Sequence, residues 1–120
     1  MKNYSMQELA FLGDAIHTKF VREHFLKDNV LKINDLHKIC SKFCSAKWQC
    51  KILEDISPSL NENESEIVRM ARNSKTKHSA KNADPITYHK ATAFEALVGW
   101  LYLNKNQDRL QKILEISVKE

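Results

Sequence analysis

Asp14 and Glu95 each lie in an apolar, helix-patterned stretch, and each has one of the chain's two glycines close by: Gly13 adjoins Asp14, and Gly99 follows Glu95 by one helical turn. A glycine inside a helix costs about 1 kcal/mol relative to alanine. Close approach of two helices is therefore expected at both points. The helical neighbours are small on one side, Ala10 beside Asp14 and Ala91 and Thr92 beside Glu95. If the two helices cross there, both carboxylates enter one cleft. They would repel each other, and burial opposes their charge, so a bound cation is the simplest way to keep both ionised. Magnesium is commonly held by one or two carboxylates together with waters and substrate phosphate. It would polarise a phosphodiester and activate an attacking water. Spacing alone leaves a plainer reading open, in which each acid is a buried carboxylate paired with Arg22, Lys90 or a backbone amide.

The second chemical feature is a concentration of positive charge. Across residues 69–90, Arg69, Arg72, Lys75, Lys77, Lys81 and Lys90 stand against Asp84 alone, whereas the rest of the chain is close to balanced. Such a footprint suits a polyanion. In that reading the bases neutralise phosphates, and Asn73, Asn82 and Tyr88 are available for hydrogen bonds to phosphate or ribose. A solvated basic loop explains the same composition. No aromatic residues interleave the bases to stack unpaired nucleotides, which favours a duplex over a single strand.

These residues must be positioned by helices. Ser5-Met6-Gln7-Glu8 has the form of a capping box, and Leu9, Leu12, Ile16 and Phe20 continue it as a helix to about residue 26 or 27, before Asp28-Asn29. A second helix is expected from an Asn34 cap to Phe43. A third follows Ser45, with Trp48, Ile52 and Ile56 on its apolar stripe, and ends near Pro58. Asn61 and Asn63 mark a fourth start, where Glu62, Glu64 and Glu66 suit the positive end of the helix dipole. Residues 73–85 show no apolar periodicity and read as the one long loop, a feature often functional in compact domains. Tyr88, Ala91, Phe94, Leu97, Val98 and Leu101 then form a long, largely buried helix. A last helix from about Asn106 places Leu110, Ile113, Leu114 and Ser117 at core spacing.

Composition agrees with this reading. At 120 residues and 42% hydrophobic, the chain suits one domain spanning 1–120 with a core of its own. Two glycines and two prolines are too few for a turn-rich β fold, so the expected class is all-α. The longest apolar run, residues 94–103, contains Glu95 and falls far short of the ~20 residues of a membrane span. Cys40, Cys44 and Cys50 are odd in number and lack C-x-x-C spacing, as expected of reduced thiols in the cytoplasm.

Leu9-Ala10-Phe11-Leu12-Gly13-Asp14-Ala15 resembles the signature helix of ribonuclease III catalytic domains, and Thr92-Ala93-Phe94-Glu95-Ala96-Leu97-Val98-Gly99 resembles their second acidic helix. Between them, Arg72-Asn73-Ser74-Lys75, Lys81-Asn82-Ala83-Asp84 and Thr87-Tyr88 are similar to the loop of the Mini-III subfamily, which consists of the catalytic domain alone. The resemblance covers nearly the whole chain. It implies a ribonuclease III-like helical bundle working as a homodimer, with a double-stranded RNA lying across both subunits. It also implies a divalent metal, Mg2+ or Mn2+, and as substrate the precursor of large-subunit (23S) ribosomal RNA, with a ribosomal protein as a possible helper.

Departures from the family narrow the expected site. Full-length ribonuclease III enzymes have four acids there, and two of those positions hold Ala10 and Thr92, a reduction shared by Mini-III enzymes. Only Asp14 and Glu95 carry over as catalytic and metal-binding residues, with Arg69, Arg72, Asn73, Lys75, Lys77, Lys81, Asn82 and Tyr88 on the RNA. Met70-Ala71 stands where the family usually has Arg-Gly, and Lys77-His78 replaces a glycine-containing turn. His17, one turn after Asp14, could be a metal ligand or a base, although a packing histidine is the better reading. The loss of two acids also keeps a non-catalytic RNA-binding or ribosome-associated module in view, and beyond it a helical interaction domain with structural carboxylates.

Overall fold

The structure is a computed structural model, and it describes residues 3–27, 31–74 and 84–120. Among the described residues six α-helices carry the fold: α1 (Met6–Leu26), α2 (Ile33–Phe43), α3 (Ala46–Ile56), α4 (Glu62–Arg72), α5 (Pro85–Leu103) and α6 (Gln107–Ser117), with a short 3-10 turn at Ser57–Ser59. No strand occurs among the described residues. The Ser5 capping box is formed, with the Glu8 amide donating to Ser5 Oγ at 3.0 Å and the Ser5 amide donating to Glu8 Oε1 at 2.9 Å. Asn61 and Glu64 make a second such box at the start of α4. Ser45 caps α3, and Asp84 caps α5 just ahead of Pro85 at its first position, where a missing N–H costs nothing.

One expected cap is wrong. α2 starts a residue before Asn34, with Lys32 at the cap position and no side-chain hydrogen bond to the free amides. Asp35 sits in its first turn, where its charge faces the positive end of the helix. The expected Asp28-Asn29 boundary lies outside the described residues.

α5 is apolar all round, which marks a central helix. Ala93, Phe94, Ala96, Leu97, Val98 and Leu101 are fully buried, and α1, α3 and α4 pack around them. Leu110, Ile113 and Leu114 of α6 complete this core, while Val21, Cys40 and Phe43 anchor a smaller cluster between α1 and α2. All three cysteines are free thiols. No helix among the described residues is long and apolar enough to cross a membrane.

Candidate active site

α1 and α5 meet backbone to backbone at the two glycines. A Cβ added to Gly13 would overlap the carbonyl oxygen of Glu95, and one added to Gly99 would overlap the carbonyl oxygen of Leu9. Each glycine thus lets the other helix pass, and the crossing sets Asp14 of α1 against Glu95 of α5. Burial first, then the neighbouring Asp14 carboxyl and its charge, push the Glu95 carboxyl up to about 8. Near neutral pH Glu95 therefore keeps its proton.

Neither of the cations considered from spacing neutralises the pair. Lys90 reaches Glu54 instead, at 3.5 Å, and Arg22 lines a small cavity with Leu26, Ile33, Leu36, His37 and Cys40. Among the described residues no Lys or Arg is ion-paired with Asp14 or Glu95. Two hard oxygen donors crowded together and deprived of a counter-charge fit a divalent cation that keeps several waters. Among the described residues no group of three or more His, Cys, Asp and Glu is placed to enclose a metal. The remaining ligands would then be water and substrate. Ala10 and Thr92 are both buried, one turn before Asp14 and Glu95 respectively.

His17 lies beneath the pair rather than in it. Only 1% exposed, it packs edge-on against Phe94 with ring centroids 5.0 Å apart and hydrogen-bonds Gln49 and Ser117, each at 3.1 Å. Desolvation drives its pKa down to about 4, against the opposing pull of Asp14. It is a neutral, hydrogen-bonded core residue. Gln49, hydrogen-bonded to His17 at 3.1 Å, escapes the sequence reading. Its signal was the register of α3, where Gln49, Ile52, Leu53 and Ile56 share the buried face.

The predicted RNA contacts divide. Arg69 and Arg72 occupy the last turn of α4, and Asn73 caps it. Arg69 leans on Glu66 at 2.9 Å, both side chains remaining exposed. Tyr88 is half-buried on α5, two turns before Glu95 on the same face. Lys75, Lys77, Lys81 and Asn82 lie outside the described residues. An apolar cleft of about 520 Å³ bounded by Tyr4, Met6, Met70, Trp100 and Leu103 includes no acid and stands apart from the carboxylate pair.

A helical domain that sets an exposed Asp against a partly buried Glu where two helices cross has the arrangement of ribonuclease III, and the ribonuclease III domain family matches residues 7–106. The chain belongs to that family, in its Mini-ribonuclease III branch. It is similar to the Mini-ribonuclease 3 of Brevibacillus brevis, 46% identical over 107 residues that cover 89% of this chain and 80% of the relative. The Symbiobacterium thermophilum Mini-ribonuclease 3 is 43% identical, over 91% of this chain and 84% of its own. A crystal structure of a Fusobacterium nucleatum protein superposes with a TM-score of 0.89 at 35% identity, covering 98% of this chain and 93% of that one. The chain is accordingly an endoribonuclease of the double-strand-specific class, a family that generally depends on divalent metal.

Proposed function

We propose that Asp14 and Glu95 hold Mg2+, with Mn2+ as an effective substitute, and that this single domain matures the precursor of 23S ribosomal RNA in the cytoplasm as a homodimer. The observation that carries the site is the crossing of α1 and α5 at Gly13 and Gly99, which sets Asp14 against Glu95 with no Lys or Arg among the described residues ion-paired to either. When bound, the ion supplies Lewis acidity to the scissile phosphate and lowers the pKa of water. The chain's own residues do the rest. Asp14, the more exposed of the two, faces the substrate side, and Glu95 anchors the ion from within the fold. Arg69, Arg72, Lys75, Lys77 and Lys81 neutralise phosphates of the duplex, and Asn73, Asn82 and Tyr88 hydrogen-bond phosphate or ribose.

The homodimer reading is supported by Phe11. It is 82% exposed on α1, one turn before Asp14, and a second copy of the chain would cover it. A ribosomal protein that shapes the precursor is compatible with this arrangement. The test is incubation of the purified protein with a perfect RNA duplex, with and without Mg2+, beside Glu95→Gln. Metal-dependent cutting by the wild type, reduced by at least ~10³-fold in the variant, is expected from the loss of several kcal/mol of metal-based stabilisation. Equal cutting by both proteins would remove Glu95 from the site, and binding without cutting under any divalent metal would point to a non-catalytic module.

A further inference from the structure

Charge outside residues 69–90 is balanced only in sum. Residues 19–51 carry eight Lys and Arg against three Asp and Glu, whereas residues 52–66 carry five acids and no base. The fold keeps these blocks apart: the C-terminal end of α1, all of α2 and the start of α3 are basic, and the end of α3 and the start of α4 are acidic. A long polyanion is therefore drawn to the α1–α2 side of the molecule and turned away from the α3–α4 side.

α1 joins that basic side to the carboxylate pair. Asp14, Thr18 and Arg22 follow at four-residue steps and so form one inclined row on the helix, with Asp14 and Arg22 exposed and Thr18 half-buried between them. Arg22 stands about 12 Å beyond Asp14 along the axis. Gly13 lies against Glu95 and Gly99 against Leu9, so α1 and α5 run antiparallel, and Arg22 and Tyr88 are on the same side of the pair. Among the described residues Arg69 and Arg109 are ion-paired, but no acid is paired with Arg22. Its neighbours are those of a binding site. Arg22 and the exposed His37 line a cavity of about 220 Å³ with apolar walls from Leu26, Ile33 and Leu36 over the buried Cys40. Such walls lower the local dielectric and strengthen any bond the guanidinium makes. The volume falls below the ~300 Å³ at which pockets begin to hold a small molecule whole, which suits one group of a polymer.

We propose that Arg22 is a phosphate-binding residue for the RNA duplex, its guanidinium taking a backbone phosphate a few nucleotides from the scissile one, with His37 beside it as a second donor. The inference rests on the reading that a duplex lies across Asp14 and Glu95. Arginine suits the task because its planar fork meets two phosphate oxygens at once. A guanidinium that is merely solvated would matter no more to RNA than any other surface charge.

The experiment is binding of a perfect RNA duplex, in chelator so that nothing is cut, over a range of salt. The proteins are the wild type, Arg22→Gln, Arg22→Lys and Lys112→Gln, each checked for folding by thermal melting. Lys112, exposed on α6, controls for the bare loss of one charge. Arg22→Gln is expected to weaken binding about 10-fold and to lower the slope of log affinity against log salt by about 1. Arg22→Lys should restore the slope, which follows charge, but only part of the affinity, which needs the fork. Lys112→Gln should keep the wild-type slope. Wild-type affinity and slope in Arg22→Gln overturn the proposal, as does an equal loss in Lys112→Gln, and both outcomes leave Mg2+-dependent cutting by the wild type untouched. If Arg22→Gln does not fold, Arg22→Lys decides, and wild-type affinity there overturns the proposal. Inorganic phosphate bound by the wild type in calorimetry, with RNA affinity intact in Arg22→Gln, would assign the cavity to a free anion and overturn it too. A wild type that binds no duplex overturns the duplex reading and this inference with it.

Discussion

Two glutamates are drawn into this small protein, and they are treated in opposite ways. Glu64 is 1% exposed and fully answered. Arg109 grips both of its oxygens, at 3.0 Å through Nε and 3.1 Å through Nη2, and the Asn61 amide donates to Oε1 at 3.1 Å. The same guanidinium reaches the Ser59 carbonyl at 3.1 Å, tying the 3-10 turn, α4 and α6 together. Glu95 is given the Asp14 carboxyl beside it instead of a guanidinium, and burial and that neighbour push it up to about 8. Both acids are withdrawn from solvent at least in part, so burial alone does not distinguish a structural acid from a functional one. The distinction lies in whether the protein supplies the counter-charge or leaves that to a ligand.

Breaking the satisfied glutamate should have the largest effect on the fold. Arg109→Ala leaves Glu64 buried without its partner, and a loss of about 3–5 kcal/mol is expected in urea unfolding. A loss below 1 kcal/mol would mean that solvent reaches Glu64 and that the two acids are not comparable. Gly13→Ala follows, since the added methyl would meet the Glu95 carbonyl rather than a side chain able to turn aside. Forcing the helices apart should cost about 3 kcal/mol. Gly13→Ala should also loosen Mn2+ binding in whatever fraction stays folded, while Arg109→Ala, acting at the other glutamate, should leave it unchanged.

The sequence shows the helices well and the buried polar contacts poorly. Caps and apolar spacing place five of the six helix starts within a residue, because a Ser or Asn before a patterned run has a local cause that a linear reading can follow. α2 is misread at its start because two cap-type residues, Asn34 and Asp35, lie inside its first turn while the true cap position holds Lys32. The glycine argument succeeds for the same reason as the caps do, since the cost of Gly13 and Gly99 is local even though its explanation is a contact across the fold. Glu64 shows the limit. Three acids at the head of α4 read equally well as dipole partners, and nothing within that helix shows that Glu64 alone turns inward to meet Arg109, which is 45 residues away. Gln49 is hidden in the same way, its partner His17 being contributed by α1.

A smaller effect separates the two glutamates from the other side. Glu95→Gln removes a carboxyl that the metal-free fold does not welcome, so at pH 8.5 the variant should be more stable than the wild type by about 1 kcal/mol, the usual sign of a residue kept for function. Glu64→Gln, which weakens an answered charge, should be destabilising under the same conditions. Both glutamines destabilising would abolish the contrast between the acids.

The pH dependence of stability sharpens the contrast further, because Glu95 and the His17 below it limit the metal-free protein from opposite directions. Glu95 rises from an ordinary 4.5 to about 8, so between those values the folded chain retains a proton that the unfolded chain has released. Stability must then fall as pH rises through that window. His17 drops from 6.5 to about 4, so the unfolded chain binds the extra proton there and stability falls as pH drops through that range. The two windows overlap from about 4.5 to 6.5, where the opposing slopes offset each other, so urea midpoints measured from pH 4 to 9 without metal should be nearly level there and decline from about 6.5 to 8. Glu95→Gln should abolish that decline and unmask a fall in stability below about pH 6.5, and His17→Phe should let the decline begin already near pH 4.5. Saturating Mg2+ should also remove the alkaline decline, because an ion that displaces the Glu95 proton gains affinity as Glu95 ionises. An alkaline decline that persists in Glu95→Gln would locate the proton elsewhere and make Glu95 as settled an acid as Glu64.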